Sequence, residues 1–190
     1  LEDRVVTISR AKNTVEYPAG FMLIASMNPC PCGFYNHPEK QCVCGPGVVQ
    51  KYLNKISGPL LDRIDLHVEV TPVPFSELSK APTSEKSKEI KTRVIKARTI
   101  QKERFKNKTG LHCNAQLRTK DLQHVCKLND TSSQLLKNAM EKLGLSARAY
   151  DRILKVARTI ADLDYSETIE TNHIAEAIQY RSLDRSSWAG

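Results

Sequence analysis

Phe21-Met22-Leu23-Ile24-Ala25-Ser26-Met27-Asn28-Pro29 is the stretch whose reading decides the fold. Five continuous apolar residues after Gly20 suit a strand buried on both faces, as in a parallel sheet. The run stops at a polar end, and open α/β sheets bind ligands beyond the carboxyl ends of their strands. Upstream, Val5-Val6-Thr7-Ile8-Ser9-Arg10 and Asn13-Thr14-Val15-Glu16-Tyr17 are β-branched and roughly alternating. Residues 5–17 therefore predict a β-hairpin with a basic tip at Arg10 and Lys12. Downstream, residues 48–56 read as a short amphipathic helix, and Leu66-His67-Val68-Glu69-Val70 alternates as a second core strand.

Pro72, Pro74 and Pro82 then punctuate a linker, and beyond it the apolar period becomes helical. A long basic helix is expected from residue 84 to about 106, with Ile90, Val94, Ala97 and Phe105 on or near one side. A shorter helix should follow over 117–128. The next, 132–143, carries Leu135, Leu136, Ala139, Met140 and Leu143 and stops at Gly144. Ser146 can cap a helix bearing Ile153, Val156, Ala157, Ile160 and Leu163, and Thr171 can cap the last. The expected organisation is an α/β part over 1–72, a linker over 73–83 and an all-α bundle over 84–190.

Hydrophobic content of 40% and charged content of 26% are those of an ordinary globular protein. No apolar run is long enough to span a bilayer and no export signal opens the chain, so a cytoplasmic address and no membrane partner are expected. The opening residue is Leu1 rather than Met, which we read as the start of a piece of a longer protein. The net charge of +8 is concentrated: residues 80–108 hold eleven Lys/Arg against Glu85, Glu89 and Glu103. Such a stripe suits nucleic-acid phosphates, because each cation placed there releases condensed counterions. A solvated helix face is the plainer account of the same charges. Lys91, Lys96 and Lys102, with Arg10 and Lys12 of the hairpin, are the candidate DNA contacts.

Four of the six cysteines sit together, Cys30, Cys32, Cys42 and Cys44, in a Gly/Pro-rich loop over 30–47. Clustered cysteines without an export signal point to metal before disulfide. Zinc takes four tetrahedral thiolates, and a coreless loop this long needs a staple. The single-residue gaps depart from the usual two to four, and His37 could replace one thiolate. Four reduced cysteines, or redox-linked pairs, are the alternative.

Three strings resemble one family. Phe21-Met22-Leu23-Ile24-Ala25-Ser26-Met27-Asn28-Pro29 looks like the AAA+ strand ending in the sensor-1 asparagine. Gly58-Pro59-Leu60-Leu61-Asp62-Arg63-Ile64-Asp65 is similar to the string that carries the arginine finger in magnesium chelatases and MCM-type helicases. Gly144-Leu145-Ser146-Ala147-Arg148-Ala149 looks like the sensor-2 motif opening a lid helix. With Cys-Pro-Cys-Gly following the asparagine, the chain resembles the magnesium-chelatase-like ComM/YifB family of AAA+ ATPases along nearly its whole length.

The resemblance implies a fold and a set of roles. The fold is the C-terminal half of an AAA+ P-loop core, a hairpin plus two core strands, followed by a helical lid. Asn28 would orient a lytic water, Arg63 would reach a neighbour's γ-phosphate and Arg148 would contact nucleotide from the lid. Each has a plainer role: Asn28 as a turn residue, Arg63 paired to Asp62 or Asp65, Arg148 paired to Asp151. The chain contains no G-x-x-x-x-G-K-[ST], so ATP and Mg²⁺ would be held mainly by an upstream half, and the piece alone should be inactive. The implied whole is a homo-oligomeric ring, a hexamer, acting on DNA as a competence- or recombination-type helicase. Its competitors are a magnesium-chelatase motor subunit and a zinc-stapled nucleic-acid-binding module without an ATP role.

Overall fold

The computed structural model describes residues 4–10, 13–73 and 84–181. These fall into two compact units, one running to Arg63 and the other beginning at Ile64. Of the expected linker, only Val73 lies among the described residues.

In the first unit, β1 (Val5–Arg10) pairs antiparallel with β2 (Asn13–Pro18), from Val5 opposite Pro18 to Arg10 opposite Asn13. The hairpin is as expected, although Lys12 lies outside the described residues. Every described residue of the two strands is exposed on both faces. Two helices close the unit, α1 (Val48–Leu53) and α2 (Gly58–Leu61), which bury Leu53 and Leu61. Gly47, at φ +72°, starts α1 in the left-handed region where glycine carries no Cβ penalty.

The two expected core strands are not strands here. Residues 19–28 and 66–73 take no regular secondary structure and belong to no ladder, and the one sheet among the described residues is the hairpin. Phe21, Met22, Leu23, Ile24, Leu66, Val68 and Val70 are exposed. The reason is physical: a strand exists only with a neighbour to take its N–H and C=O groups. The described hairpin satisfies its own.

The second unit is helical, as expected: α3 (Ser87–Phe105), a 3₁₀ turn (Asn114–Gln116), α4 (Thr119–Val125), α5 (Asp130–Leu143), α6 (Ala147–Leu163) and α7 (Thr171–Gln179). Gly144 ends α5 at φ +61°, and Ser146 caps α6 by accepting from the Ala149 amide at 3.2 Å. Thr171 is the first helical residue of α7 rather than its cap. Glu170 is the cap, and its N–H donates to His173 Nδ1 at 3.0 Å. Helix α6 is the axis of the core: Ala149, Ile153, Leu154, Ala157 and Ala161 are all buried on it. Leu136 of α5, Leu122 of α4, and Ile174 and Ala177 of α7 join the same cluster. Burying each Leu or Ile contributes about 1.5–3 kcal/mol.

Helix α3 departs from expectation. Ala97, Gln101 and Phe105 are its buried residues, whereas Ile90 and Val94 are 42% and 43% exposed. Only its C-terminal half packs.

A polar knot sits inside the apolar core. Asp162, fully buried, accepts two hydrogen bonds from Arg104, the Oδ2 one at 2.7 Å, and a third from Asn114 Nδ2 at 2.7 Å. Its fourth comes from Arg158 Nε at 3.1 Å. Arg158 Nη1 also donates to the Glu167 carbonyl at 2.8 Å. The carboxylate thereby ties α3, the 3₁₀ turn and α6 together.

Candidate functional site

The described cysteine loop brings four sulfurs to one point. The Sγ atoms of Cys30, Cys32, Cys42 and Cys44 all lie within 4.8 Å of one another. Cys30–Cys32 is 3.3 Å, Cys32–Cys42 is 3.5 Å and Cys30–Cys42 is 3.8 Å. A tetrahedron with Zn–S bonds of about 2.3 Å has edges of about 3.8 Å, so the spacing suits a four-thiolate metal centre. Cys30 is fully buried and the others are half-buried.

Short-range turns do the folding. Gly33, at φ +81°, lets its N–H return to the Cys30 carbonyl at 3.0 Å. His37 is not part of the sulfur group. Its Nδ1 accepts from the amides of Glu39 and Lys40 at 3.0 and 3.1 Å, and its ring meets Phe34 edge-on at 5.6 Å. Lys40 Nζ lies over the other ring at 5.0 Å. The expected option of His37 as a ligand therefore gives way to a role in turning the loop.

The thiols do not titrate alike. Backbone amides, that of Phe34 foremost, bring Cys32 down to about 6. The Cys32 amide works to lower Cys44, but burial and the neighbouring thiols push it up to about 12. Four sulfurs this close cannot all carry a negative charge without a cation among them. A cation placed among them would relieve that competition, and the four sulfurs are close enough to hold one.

Asn28, expected at the end of a buried strand, is exposed in the irregular run two residues before Cys30. Arg63 is half-buried just after α2, and its Nη1 donates to the Pro59 carbonyl at 2.7 Å. Arg148 stands in the first turn of α6 and is exposed. Asp151, its suggested local partner, accepts from Thr119 Oγ1 at 2.7 Å. Asp65, a suggested partner of Arg63, accepts from Arg152 Nη1 at 2.9 Å. Lys91, Lys96 and Lys102 are exposed on α3 and Arg10 on β1, while Lys12 is not among the described residues. Lys96 Nζ lies 5.6 Å over the Tyr165 ring.

Sequence reasoning missed Arg104, Arg158 and Asp162 of the core, and Arg152 and Arg181 around residues 64–67. Arg152 had a signal: it lies four residues after Arg148, on the same helix face.

Comparison with known proteins divides the chain between residues 78 and 84, within the expected linker and not at Arg63. The family model for magnesium chelatase, subunit ChlI, matches residues 1–78, and the model for its C-terminal part matches residues 84–181. The chain is 43% identical over 186 residues to "Competence protein ComM" of Haemophilus influenzae, covering 97% of this chain and 35% of that protein. It is 41% identical over 186 residues to the uncharacterized protein YifB of Escherichia coli, with the same coverage. An uncharacterized Mycobacterium bovis protein is 32% identical over 181 residues, 95% of this chain and 35% of that protein. The chain thus spans about a third of the length of the curated relatives it matches. Among the described residues, no helix is long and apolar enough to cross a membrane.

Proposed function

Since the chain belongs to the magnesium chelatase subunit ChlI family, with ComM and YifB among its relatives, we propose that it works within a cytoplasmic ATP-driven ring, a hexamer that moves on DNA. In this reading the chain supplies sensor 1, the arginine finger, sensor 2 and the lid. The observation that carries it is a family match over 1–78 and 84–181 that takes in all three strings, Asn28, Arg63 and Arg148 included.

The residues present fit the phosphate end of an ATP site. They comprise one amide, whose NH₂ donates, and two donor-only guanidinium groups, and donors aimed at developing negative charge are what phosphoryl transfer requires. They do not fit Mg²⁺, which wants oxygen ligands. The loop that cradles phosphates and the carboxylates that hold Mg²⁺ are assigned to the rest of the protein. ATP with Mg²⁺ supplies the phosphoryl group that is cleaved. Asn28 orients water by its amide; Arg63 is delivered to the site of the adjacent subunit; Arg148 reports nucleotide to α6. The four-cysteine loop, between Asn28 and α1, holds one structural zinc.

DNA as the track is supported by the basic helix α3, on which Lys91, Lys96 and Lys102 are all exposed. Phosphate contacts of this kind read no sequence.

The test is Arg63→Ala in the full-length protein. Turnover should fall by about 10³-fold or more while nucleotide binding stays near wild type. Mutant subunits doped into wild-type rings should poison their neighbours. Normal turnover in the mutant ends the assignment. It would leave the second reading, a zinc-stapled nucleic-acid-binding module without an ATP role, which the converging sulfurs and the bare basic helix favour.

A further inference from the structure

Three residues shortly after Arg63 are fastened to residues far along the chain, on α6 or just past α7. Asp65 Oδ1 accepts from Arg152 Nη1 of α6 at 2.9 Å. The Ile64 carbonyl accepts from Arg181 Nη1, and Arg181 is 1% exposed. The His67 N–H donates to the Tyr180 carbonyl at 2.8 Å, just past the end of α7. Arg152 has a side chain only 11% exposed, so its charge is largely out of water and its pairing to Asp65 is less screened than a surface contact. Ile64, Asp65 and His67 all belong to the helical unit. Yet Ile64 follows Arg63 directly, and consecutive Cα atoms lie about 3.8 Å apart.

We infer that Asp65, Arg152 and Arg181 are positioning residues that clamp the backbone after Arg63 to the helical unit, so that the state of that unit sets where the Arg63 guanidinium is delivered. The inference rests on the reading of Arg63 as a finger. Helix α6 carries both Arg148 and Arg152, one turn apart on the same face. The helix that reads a subunit's own nucleotide is then the helix that holds the backbone leading to the finger offered to its neighbour. Two sites are thereby coupled through one rigid element, which is the physical content of a cooperative ATP cycle. A fixed backbone matters because a misplacement of about 1 Å at a reacting centre can lower a rate by about 10²-fold.

The experiment uses the full-length protein and four variants: Arg63→Ala, Arg152→Ala, Asp65→Asn and the charge exchange Asp65→Arg with Arg152→Asp. For Arg152→Ala and Asp65→Asn, kcat for ATP should fall roughly 10- to 100-fold. KM should stay within about twofold and the Hill coefficient for ATP should fall towards 1, since coupling and not binding is removed. Tm should move by less than about 5 °C, because Asp65 is nearly half exposed. The charge exchange should recover most of the lost kcat and the Hill coefficient. Unchanged kcat and Hill coefficient in Arg152→Ala, beside a dead Arg63→Ala, overturns the clamp and leaves the finger standing. A fall in kcat matched by a large drop in Tm also overturns it, since the pair would then merely hold the fold. Normal turnover in Arg63→Ala removes the finger reading and the clamp with it.

Discussion

Replacing Asp162 by Asn should be the most damaging isosteric change in the helical unit. The carboxylate is fully buried and answers two guanidinium groups, Arg104 and Arg158, plus the Asn114 amide. Burial lowers the pKa of the Arg158 guanidinium; the Asp162 charge opposes that loss, and the Arg104 charge adds to it. The asparagine keeps the shape but removes the charge, and it turns an amide NH₂ towards donors. Breaking a buried pair from one side costs about 3–5 kcal/mol. Arg104 is 22% exposed and can reach water, so the lower end, about 3 kcal/mol, applies. At about 4–8 °C per kcal/mol for a domain of this size, Tm should drop by roughly 12–24 °C. Thermal melts followed by circular dichroism at 222 nm measure it. Asp164→Asn is the control: this acid, 61% exposed, meets His173 Nε2 at 3.1 Å, and its loss should stay below about 1 kcal/mol. A drop for Asp162→Asn no larger than the control's would show that the core tolerates the unpaired guanidinium groups, and the argument from burial would be wrong.

Zinc should copurify at about one ion per chain without added metal. Elemental analysis together with thiol titration checks this, and four free thiols with under a tenth of an ion would refute the site. Stripping the ion should disorder the 30–47 loop while leaving the 222 nm signal of the helical unit almost intact, because that unit has its own core. Arg148→Ala in the full-length protein should weaken the response to ATP with little change in Tm, the side chain being exposed; melting like a core deletion would make the residue structural. Charge reversal at Lys91, Lys96 and Lys102 should lower DNA affinity and flatten its salt dependence, each lost contact removing roughly 0.7–0.9 from the log–log slope. Lys12→Glu should damage movement more than affinity, and if neither change alters DNA binding, α3 is only a solvated face.

Local chemistry was legible in the sequence, and long-range pairing was not. Gly144 and Ser146 announced the end of α5 and the start of α6 because glycine's tolerance of positive φ and a serine oxygen above a free N–H act within a few residues. The cysteine spacing announced two close pairs of sulfurs, and the turns of the 30–47 loop bring the pairs together. The apolar run at 21–25 announced a wish for burial but named no partner strand, and here its side chains stand exposed. Arg104 counted as one more cation of a basic stripe. Nothing in the period of that stripe shows that it turns inward to an aspartate 58 positions later. Arg152 and Asp65, 87 positions apart, are the same case at the candidate site. His37 looked like a ligand by composition, yet two neighbouring amides claim its nitrogen first.

Helix α3 has one end in the core and the other in water. Residues 84–96 are exposed throughout, and at 1.5 Å per residue its first ten residues run about 15 Å without being buried by any described residue. Their helicity is seeded by the anchored turns behind them, so amide exchange should quicken steadily from Phe105 towards Ser87. Lys88 and Lys91 stand three apart and repel, whereas Arg93 is offset by its pair with Glu85 at 2.7 Å. Added salt quiets that repulsion and firms the rod, while the same salt loosens any polyanion lying along it. The rod is therefore best formed under the conditions in which it grips least. A polyanion that neutralises those charges would order the free end as it binds, so that seizing the strand and stiffening the arm become a single event.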